Sequence, residues 1–166
     1  FTTEERQIQV AVRAFLEKEA LPFVKEWWVQ NVFPSQLISR FGELGLLGAN
    51  IPDIEDRQLV SNVAHGLIMY ELERIDSGLR SFVSVQGALV MYPIYAYGSE
   101  EQKKKWLPKL ASGEAIGCFG LTEPDYGSNP SGMITTAKKT DGGYILNGAK
   151  MWITNGTVAD LSLIHI

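Results

Sequence analysis

The chain contains 166 residues, of which 45% are hydrophobic and 20% are charged, and its formal net charge is −4. This apolar fraction can fill a folded core, which argues against a disordered chain. The mild acidity argues against a nucleic-acid-binding protein, which normally presents a basic surface. No run of about 18 apolar residues occurs, so the sequence predicts no membrane-spanning helix.

The chain has a single cysteine, Cys118, which can form neither an internal disulfide bond nor a cysteine-based metal cluster. A reducing compartment is therefore the simpler expectation. The two histidines, His65 and His165, lack the spacing of a metal site, so we predict no bound metal. The chain begins without methionine and ends within a strand pattern at 163–166, and we expect further chain at both ends.

Helical periodicity begins at the first residues. Thr2 and Glu5 have the spacing of a capping box, and the apolar residues after them recur at helical intervals until Pro22. A short aromatic segment follows at 23–32, and it contains two tryptophans. The sequence therefore predicts an amphipathic first helix.

Further helices fill the first two-thirds of the chain. Residues 34–45 and 60–72 carry apolar positions at helical spacing. Residues 78–97 are so apolar that they predict a helix buried on all sides. Residues 99–102 form a second capping box, which starts a lysine-rich helix that ends near Gly113.

Strand patterns replace helical patterns after this point. The strand signals are, in chain order, 116–121, 135–140, 144–147, 151–154 and a last one from Asp160. The turn Asp141-Gly142-Gly143 predicts a hairpin between the second and third of them. We therefore predict an α+β fold, with an all-α domain at 1–113 and the start of an antiparallel β domain at 114–166.

Two segments of the predicted β domain can carry chemistry. Residues 118–128 run from a strand into a turn rich in Gly, Ser, Thr and Pro, which suits a phosphate or the edge of a flavin ring. The alternative is an ordinary polar turn, because no glycine-rich phosphate motif is present. In 150–156, Trp152 and Thr154 share one face of a strand and suit a planar cofactor. The alternative is a tryptophan that packs in the sheet.

The third candidate is Arg80, the only formal charge between Ser77 and Ser99. A buried arginine without a partner is costly, and Glu73, two helical turns earlier, can supply one. Arg80 is then either half of a structural ion pair or a fork that holds a substrate carboxylate. The hydroxyls near it are those of Ser77, Ser81 and Ser84.

These segments together resemble the acyl-CoA dehydrogenase family. The resemblance rests on Leu121-Thr122-Glu123-Pro124 with Gly127-Ser128, and on the run from Gly148 to Asn155. The segments 69–86 and 95–102 are similar to the glutaryl-CoA dehydrogenase branch of that family. The match implies FAD as cofactor, a carboxylate that removes the α-proton of an acyl-CoA, and a hydride that passes to flavin N5.

The resemblance also implies roles for individual residues. Phe119, Leu121 and Thr122 are expected along the pyrimidine side of the flavin, Trp152 on the ring and Thr154 near N5. The full set of implied cofactor contacts is Phe119, Leu121, Thr122, Gly127, Ser128, Trp152, Ile153 and Thr154. The implied substrate contacts are Glu73, Arg80, Ser81, Ser84 and Ser128. Arg80 would hold the distal carboxylate of glutaryl-CoA, which leaves as CO2 to give crotonyl-CoA.

The resemblance implies a catalytic glutamate in a C-terminal helical domain, which we expect to lie outside these 166 residues. We therefore name no catalytic base and expect the chain alone to be inactive. The resemblance further implies an electron-transferring flavoprotein as acceptor, a tetramer, and a role in lysine and tryptophan degradation. It places the protein in a bacterial cytoplasm or a mitochondrial matrix. Residues 53–58 depart from the family because they contain no glycine.

Two alternatives remain open from the sequence. The protein can be another acyl-CoA dehydrogenase with a monocarboxylic substrate, in which case Arg80 is structural only. The chain can also be a non-catalytic binding or assembly module that associates through an exposed apolar face.

Overall fold

The computed structural model describes residues 1–52, 54 and 57–166. Part of the predicted departure at 53–58 therefore lies outside the described residues. The α-helices are α1 (Thr3–Glu19), α2 (Val24–Gln30), α3 (Leu37–Glu43), α4 (Asn62–Ile75), α5 (Ser77–Ser84), α6 (Tyr92–Tyr97) and α7 (Glu100–Ser112). A π-helix spans Val85–Met91, and short 3-10 turns span Leu21–Phe23 and Pro130–Gly132. The strands are β1 (Gly117–Gly120), β2 (Thr136–Thr140), β3 (Gly143–Asn147) and β4 (Leu161–Ile164).

Both predicted capping boxes are confirmed. The Thr2 hydroxyl accepts from the Glu5 N–H at 3.2 Å, and the Glu5 carboxylate accepts from the Thr2 N–H at 2.9 Å. Ser99 and Gln102 repeat this exchange at the start of α7. Each box satisfies backbone donors that the first helical turn leaves unpaired. The predicted end of α7 is also confirmed, since Gly113 caps it with φ of +79°.

The apolar faces of the helices close over two clusters of buried side chains. The first joins α1, α3, α4 and α5, and its fully buried members include Leu16, Phe41, Leu72, Leu79 and Phe82. The second joins the π-helix, α6 and α7, and includes Val90, Met91 and Leu110. Burial of this apolar surface is the main source of stability for the helical region.

The segment from Ser77 to Tyr97 forms one uninterrupted helical path through α5, the π-helix and α6. The predicted helix is therefore present, but the prediction that it is buried on all sides is wrong. Leu89 and Tyr92 are exposed, and Tyr97 is 85% exposed. These side chains are exposed because neighbouring elements cover only part of the helix surface.

The strands form two separate pairs. β2 and β3 make the predicted antiparallel hairpin, in which Thr136 lies opposite Asn147 and Thr140 opposite Gly143. β1 and β4 pair in parallel, from Gly117 opposite Leu161 onward. Antiparallel pairing is therefore correct for the hairpin only. A parallel pair needs a long crossover connection, and the chain between β1 and β4 supplies it.

The α+β fold class is confirmed, with helices first and small sheets after them. Within the described ranges, no helix combines the length and the apolar character needed to cross a membrane.

Candidate functional site

The segment that carries Trp152 is irregular, so the predicted strand at 151–154 is wrong. Trp152 has a φ of +60° and Asn155 a φ of +66°. This left-handed conformation is unfavourable for a bulky side chain such as tryptophan. Strained backbone of this kind persists only where the surroundings impose it, and it is concentrated at functional sites.

Two hydrogen bonds tie this segment to β1 and to the residues after it. The Met151 N–H donates to the Thr122 carbonyl at 2.8 Å. The Asn155 side-chain amide donates to the Gly117 carbonyl at 3.1 Å. Trp152 lies between these two anchors, which explains why its backbone cannot relax into a strand.

The anchored segment presents an open aromatic face. The Trp152 side chain is 86% exposed, and Thr154 is exposed as well. Thr122, whose carbonyl accepts the Met151 hydrogen bond, is half-buried. Beside Thr122 there is free space, since a Cβ added at Gly127 would meet only Thr122 Cγ2, at 3.9 Å. An exposed indole next to hydroxyls and open space can accept a planar, partly polar group.

The other residues predicted to contact a cofactor lie on or near the same elements. Phe119, in β1, is half-buried, and its ring centroid is 6.3 Å from that of His165. Leu121 and Ile153 are half-buried, and Ser128 is exposed in the turn after β1. The structure therefore brings the segments 119–122 and 151–154 together.

An almost fully buried ion pair joins residues that neighbour Thr122 and Trp152 in the sequence, and no role was predicted for it. Lys150 Nζ donates to Glu123 Oε1 at 2.9 Å, and the two side chains are 11% and 1% exposed. Lys150 Nζ also donates to the Leu121 carbonyl at 3.0 Å. The Glu123 carboxylate accepts from the N–H groups of Ile134 at 2.7 Å and Thr135 at 3.0 Å.

These contacts decide the ionisation of Glu123. Burial raises the pKa of its carboxyl, but hydrogen bonds from Ile134, Thr135 and Lys150 outweigh burial and bring the pKa to about 2. Glu123 is therefore a carboxylate at neutral pH. Both residues lie inside the two motif segments, but nothing in the sequence shows that their side chains pair with each other.

Gln86 is a second contributor that the sequence analysis missed. It lies in the π-helix, fully buried. Its amide donates to the carbonyls of Leu110 at 2.9 Å and Ala115 at 2.8 Å, and its oxygen accepts from the Gly117 N–H at 2.9 Å. Gln86 thus fixes the start of β1 against α7. The sequence did offer one indication of this role, because Gln86 is a single polar side chain within an apolar helical segment.

Arg80 and Glu73 form the predicted ion pair, at the junction of α4 and α5. Arg80 Nε donates to Glu73 Oε2 at 2.7 Å, and the Ser77 hydroxyl donates to Oε1 at 2.7 Å. Hydrogen bonds from Arg80 first, and then from Ser77, lower the pKa of Glu73. The expectation of a buried arginine is wrong, because the Arg80 side chain is 37% exposed.

Two of the predicted substrate serines, Ser81 and Ser84, lie on α5 with Arg80. Ser84 follows Arg80 by four residues and so shares its helix face, whereas Ser81 is rotated by about 100°. Both are half-buried. Among the described residues, no side-chain hydrogen bond joins either serine to Arg80 or Glu73. The structure therefore unites Glu73, Ser77 and Arg80, and it leaves Ser81 and Ser84 as neighbours.

Comparison with known proteins identifies the family. The model of the acyl-CoA dehydrogenase N-terminal domain matches residues 2–114. The model of the acyl-CoA dehydrogenase middle domain matches residues 118–166. The chain belongs to the acyl-CoA dehydrogenase family, as its motifs predicted.

Individual relatives agree with this assignment. The chain is 39% identical over 160 residues to an acyl-CoA dehydrogenase of Bacillus subtilis, covering 96% of this chain and 42% of the relative. It is 36% identical over 165 residues to a glutaryl-CoA dehydrogenase of Desulfococcus multivorans, covering 98% and 42%. A glutaryl-CoA dehydrogenase from Mycobacterium smegmatis, solved in complex with FADH2, aligns with a TM-score of 0.96 and 51% identity over 99% of this chain and 42% of that one. The chain thus spans less than half the length of these proteins.

Proposed function

We propose that the protein containing this chain is an FAD-dependent acyl-CoA dehydrogenase that oxidises and decarboxylates glutaryl-CoA to crotonyl-CoA and CO2. Family membership supports the dehydrogenase class. Similarity to glutaryl-CoA dehydrogenases supports the substrate. The observation that carries the substrate assignment is the geometry of Arg80.

The Arg80 guanidinium has hydrogen-bond donors that Glu73 does not use. Glu73 occupies its Nε. In the part of the chain that the structure describes, neither of its terminal nitrogens, Nη1 or Nη2, has a partner. Two parallel N–H groups on a guanidinium match the two oxygens of a carboxylate. A dicarboxylic acyl chain supplies such a carboxylate, and Glu73 holds the arginine in place for it.

The face around Trp152 supports FAD as cofactor. Trp152 would lie against the flavin ring, with Thr122 and Thr154 as hydroxyl donors at its edge and Gly127 and Ser128 near its phosphates or the acyl-CoA. When bound, the flavin supplies a hydride acceptor. The residues of this chain would bind and orient it, because protein hydrogen bonds anchor their backbone.

The partners follow from the same proposal. The acyl-CoA thioester is the substrate, and an electron-transferring flavoprotein is the acceptor implied by the family. We further propose a tetramer for the whole protein, with a catalytic base outside this chain.

The substrate assignment is tested with Arg80→Ala in the full-length enzyme. We expect kcat/KM for glutaryl-CoA to fall roughly 100-fold, since charged hydrogen bonds to the carboxylate are lost. Turnover of butyryl-CoA, which has no second carboxylate, should change little. Arg40→Ala is the matched control, because Arg40 is an exposed arginine that also pairs with a glutamate, Glu43. Equal glutaryl-CoA kinetics for the Arg80 variant and the wild type would favour the monocarboxylic alternative.

The cofactor assignment is tested by absorbance. The purified full-length protein should be yellow and should show a flavin spectrum, and Trp152→Ala should weaken FAD retention. Because Trp152 is exposed, the FAD-free variant should keep the thermal midpoint of the FAD-free wild type within a few degrees.

An assembly function is the second candidate, since exposed apolar side chains favour it. Tyr144, Ile145 and Leu146 are all exposed in β3. An exposed patch of this kind can mark a contact surface. A full-length protein that stays colourless after FAD is added would favour this function over the dehydrogenase.

A further inference from the structure

We propose that the buried Glu123–Lys150 pair is a positioning element that sets the distance between Thr122 and Trp152, and thereby the flavin-binding face. This inference rests on the flavin assignment made above. It concerns two residues close to Thr122 and Trp152 in the sequence, whose side chains are nearly inaccessible to a ligand.

The pair joins three segments that are distant in sequence. The Glu123 carboxylate uses one oxygen, Oε2, for the Ile134 N–H and the other, Oε1, for the Thr135 N–H and Lys150 Nζ. Lys150 Nζ reaches back to the Leu121 carbonyl at 3.0 Å. The residues before β2 and the segment after β3 are thereby fastened to the turn after β1.

Because Glu123 and Lys150 are close in sequence to Thr122 and Trp152, their contacts also restrain the exposed face. Leu121 and Glu123 flank Thr122 on both sides, so two contacts with Lys150 restrain the Thr122 backbone. Lys150 precedes Trp152 by two residues, and the Met151 N–H between them donates to the Thr122 carbonyl at 2.8 Å. Thr122 and Trp152 therefore cannot shift independently while the pair is intact.

The chemistry of a buried ion pair allows its effect on stability to be distinguished from its effect on positioning. A buried charge that loses its partner is strongly unfavourable, whereas a matched neutral pair of similar volume is tolerated. Stability and positioning can therefore be separated by comparing single variants with the double variant.

The variants are Glu123→Gln, Lys150→Met and the two combined, made in the full-length protein. We expect each single variant to lower the thermal midpoint and to release FAD faster. The double variant should recover part of the thermal midpoint, because the buried charges are gone but a glutamine offers only one acceptor oxygen to the Ile134 and Thr135 N–H groups. It should still release FAD roughly tenfold faster than the wild type, because the two segments are no longer fastened. FAD release is followed by the rise of flavin fluorescence after dilution of the holoprotein.

Glu114→Gln is the matched control, because Glu114 forms an exposed ion pair with Lys109 at the same 2.9 Å distance. This variant should retain FAD like the wild type. A double variant that also retains FAD like the wild type would show that the pair is only structural and would overturn the inference. A wild-type protein that binds no FAD would instead overturn the proposed function.

A measurement on the wild type tests the inference even if the variants do not fold. Amide hydrogen exchange is followed in the full-length protein before and after FAD is removed. A positioning element predicts that the Met151, Ile134 and Thr135 N–H groups stay protected without FAD, since their acceptors belong to the protein. Exchange of these amides at unfolded-peptide rates in the FAD-free protein would overturn the inference.

Discussion

The helical region and the strand region of this chain are held together by different forces. In the helical region, apolar side chains from several helices fill two closed clusters. In the β2–β3 hairpin, every residue is exposed except Ala137, which is half-buried. The β1–β4 pair does pack against the second cluster, through Leu161 and Leu163, but the hairpin and the segments around it are connected by a few polar groups, Glu123, Lys150 and Gln86. Stability is therefore distributed over many contacts in the helical region and depends on few contacts around the hairpin.

The largest expected effect tests the apolar packing of the helical region. Leu72 is fully buried in the first cluster, and Leu72→Ala should lower the free energy of unfolding by about 2–5 kcal/mol through lost contacts and a cavity. Leu44 is nearly half exposed, so Leu44→Ala should cost less than about 1 kcal/mol. Urea denaturation measures both. Equal losses would contradict the assignment of Leu72 to a closed core.

The next effect tests the connection between the two regions. Gln86→Leu leaves the Leu110 and Ala115 carbonyls and the Gly117 N–H without their partner. We expect a loss of about 2–3 kcal/mol, because unsatisfied buried polar groups keep their full desolvation cost. The Gly117 amide should also exchange faster.

Gln7→Leu is the control for this prediction, since Gln7 is exposed on α1. It should change stability by no more than about 0.5 kcal/mol. A Gln86 variant as stable as this control would show that the amide is not a necessary link.

A smaller effect concerns Glu71, the buried carboxylate of the helical region. Hydrogen bonds from Arg13 first, and then from Gln9 and Arg74, outweigh burial and lower the pKa of Glu71 from 4.5 to about 2. A lowered folded-state pKa stabilises the protein above the unfolded pKa, and this contribution disappears as the pH falls from about 4.5 to about 2.

Acid titration of unfolding in the wild type and in Glu71→Gln measures this contribution. The wild type should lose roughly 1–2 kcal/mol more than the variant over that pH range, a discounted figure because the arginines are partly solvated. Other carboxylates, including Glu123, titrate in both proteins and cancel. Identical acid slopes would contradict the prediction.

The smallest effect lies in the hairpin turn. Gly142 has a φ of +83° with open space around it, so Gly142→Ala should cost about 1 kcal/mol from backbone strain alone. Gly143 also has open space but no positive φ. Gly143→Ala should therefore be neutral or slightly stabilising. Thermal unfolding compares the two variants, and losses of equal size would refute the conformational explanation.

Local signals account for the elements that the sequence predicted correctly. The capping boxes at Thr2 and Ser99 involve residues three apart, and the hairpin depends on a turn between adjacent strands. Such signals are complete within a few residues, so they survive without tertiary information. The two motif segments around Thr122 and Trp152 were recognised for the same reason.

Long-range contacts account for the elements that were predicted wrongly or missed. The 151–154 segment has a strand-like composition, but hydrogen bonds from Met151 to Thr122 and from Asn155 to Gly117 hold Trp152 in a left-handed conformation. The apolar composition of 78–97 predicts burial on all sides, but the actual burial depends on which elements pack against it. The backbone conformation of Trp152 and the burial of 78–97 both depend on residues distant in sequence, which periodicity does not detect.

The sequence by itself determined the helix faces, the caps, the hairpin turn and the family, because each is written in neighbouring residues. Only the tertiary structure decided the parallel β1–β4 pair, the Gln86 link and the Glu123–Lys150 pair. Their partners are 24 to 31 residues apart for Gln86 and 27 residues apart for Glu123 and Lys150. A buried polar group must find its partner wherever the fold places one, and this requirement has no local signature.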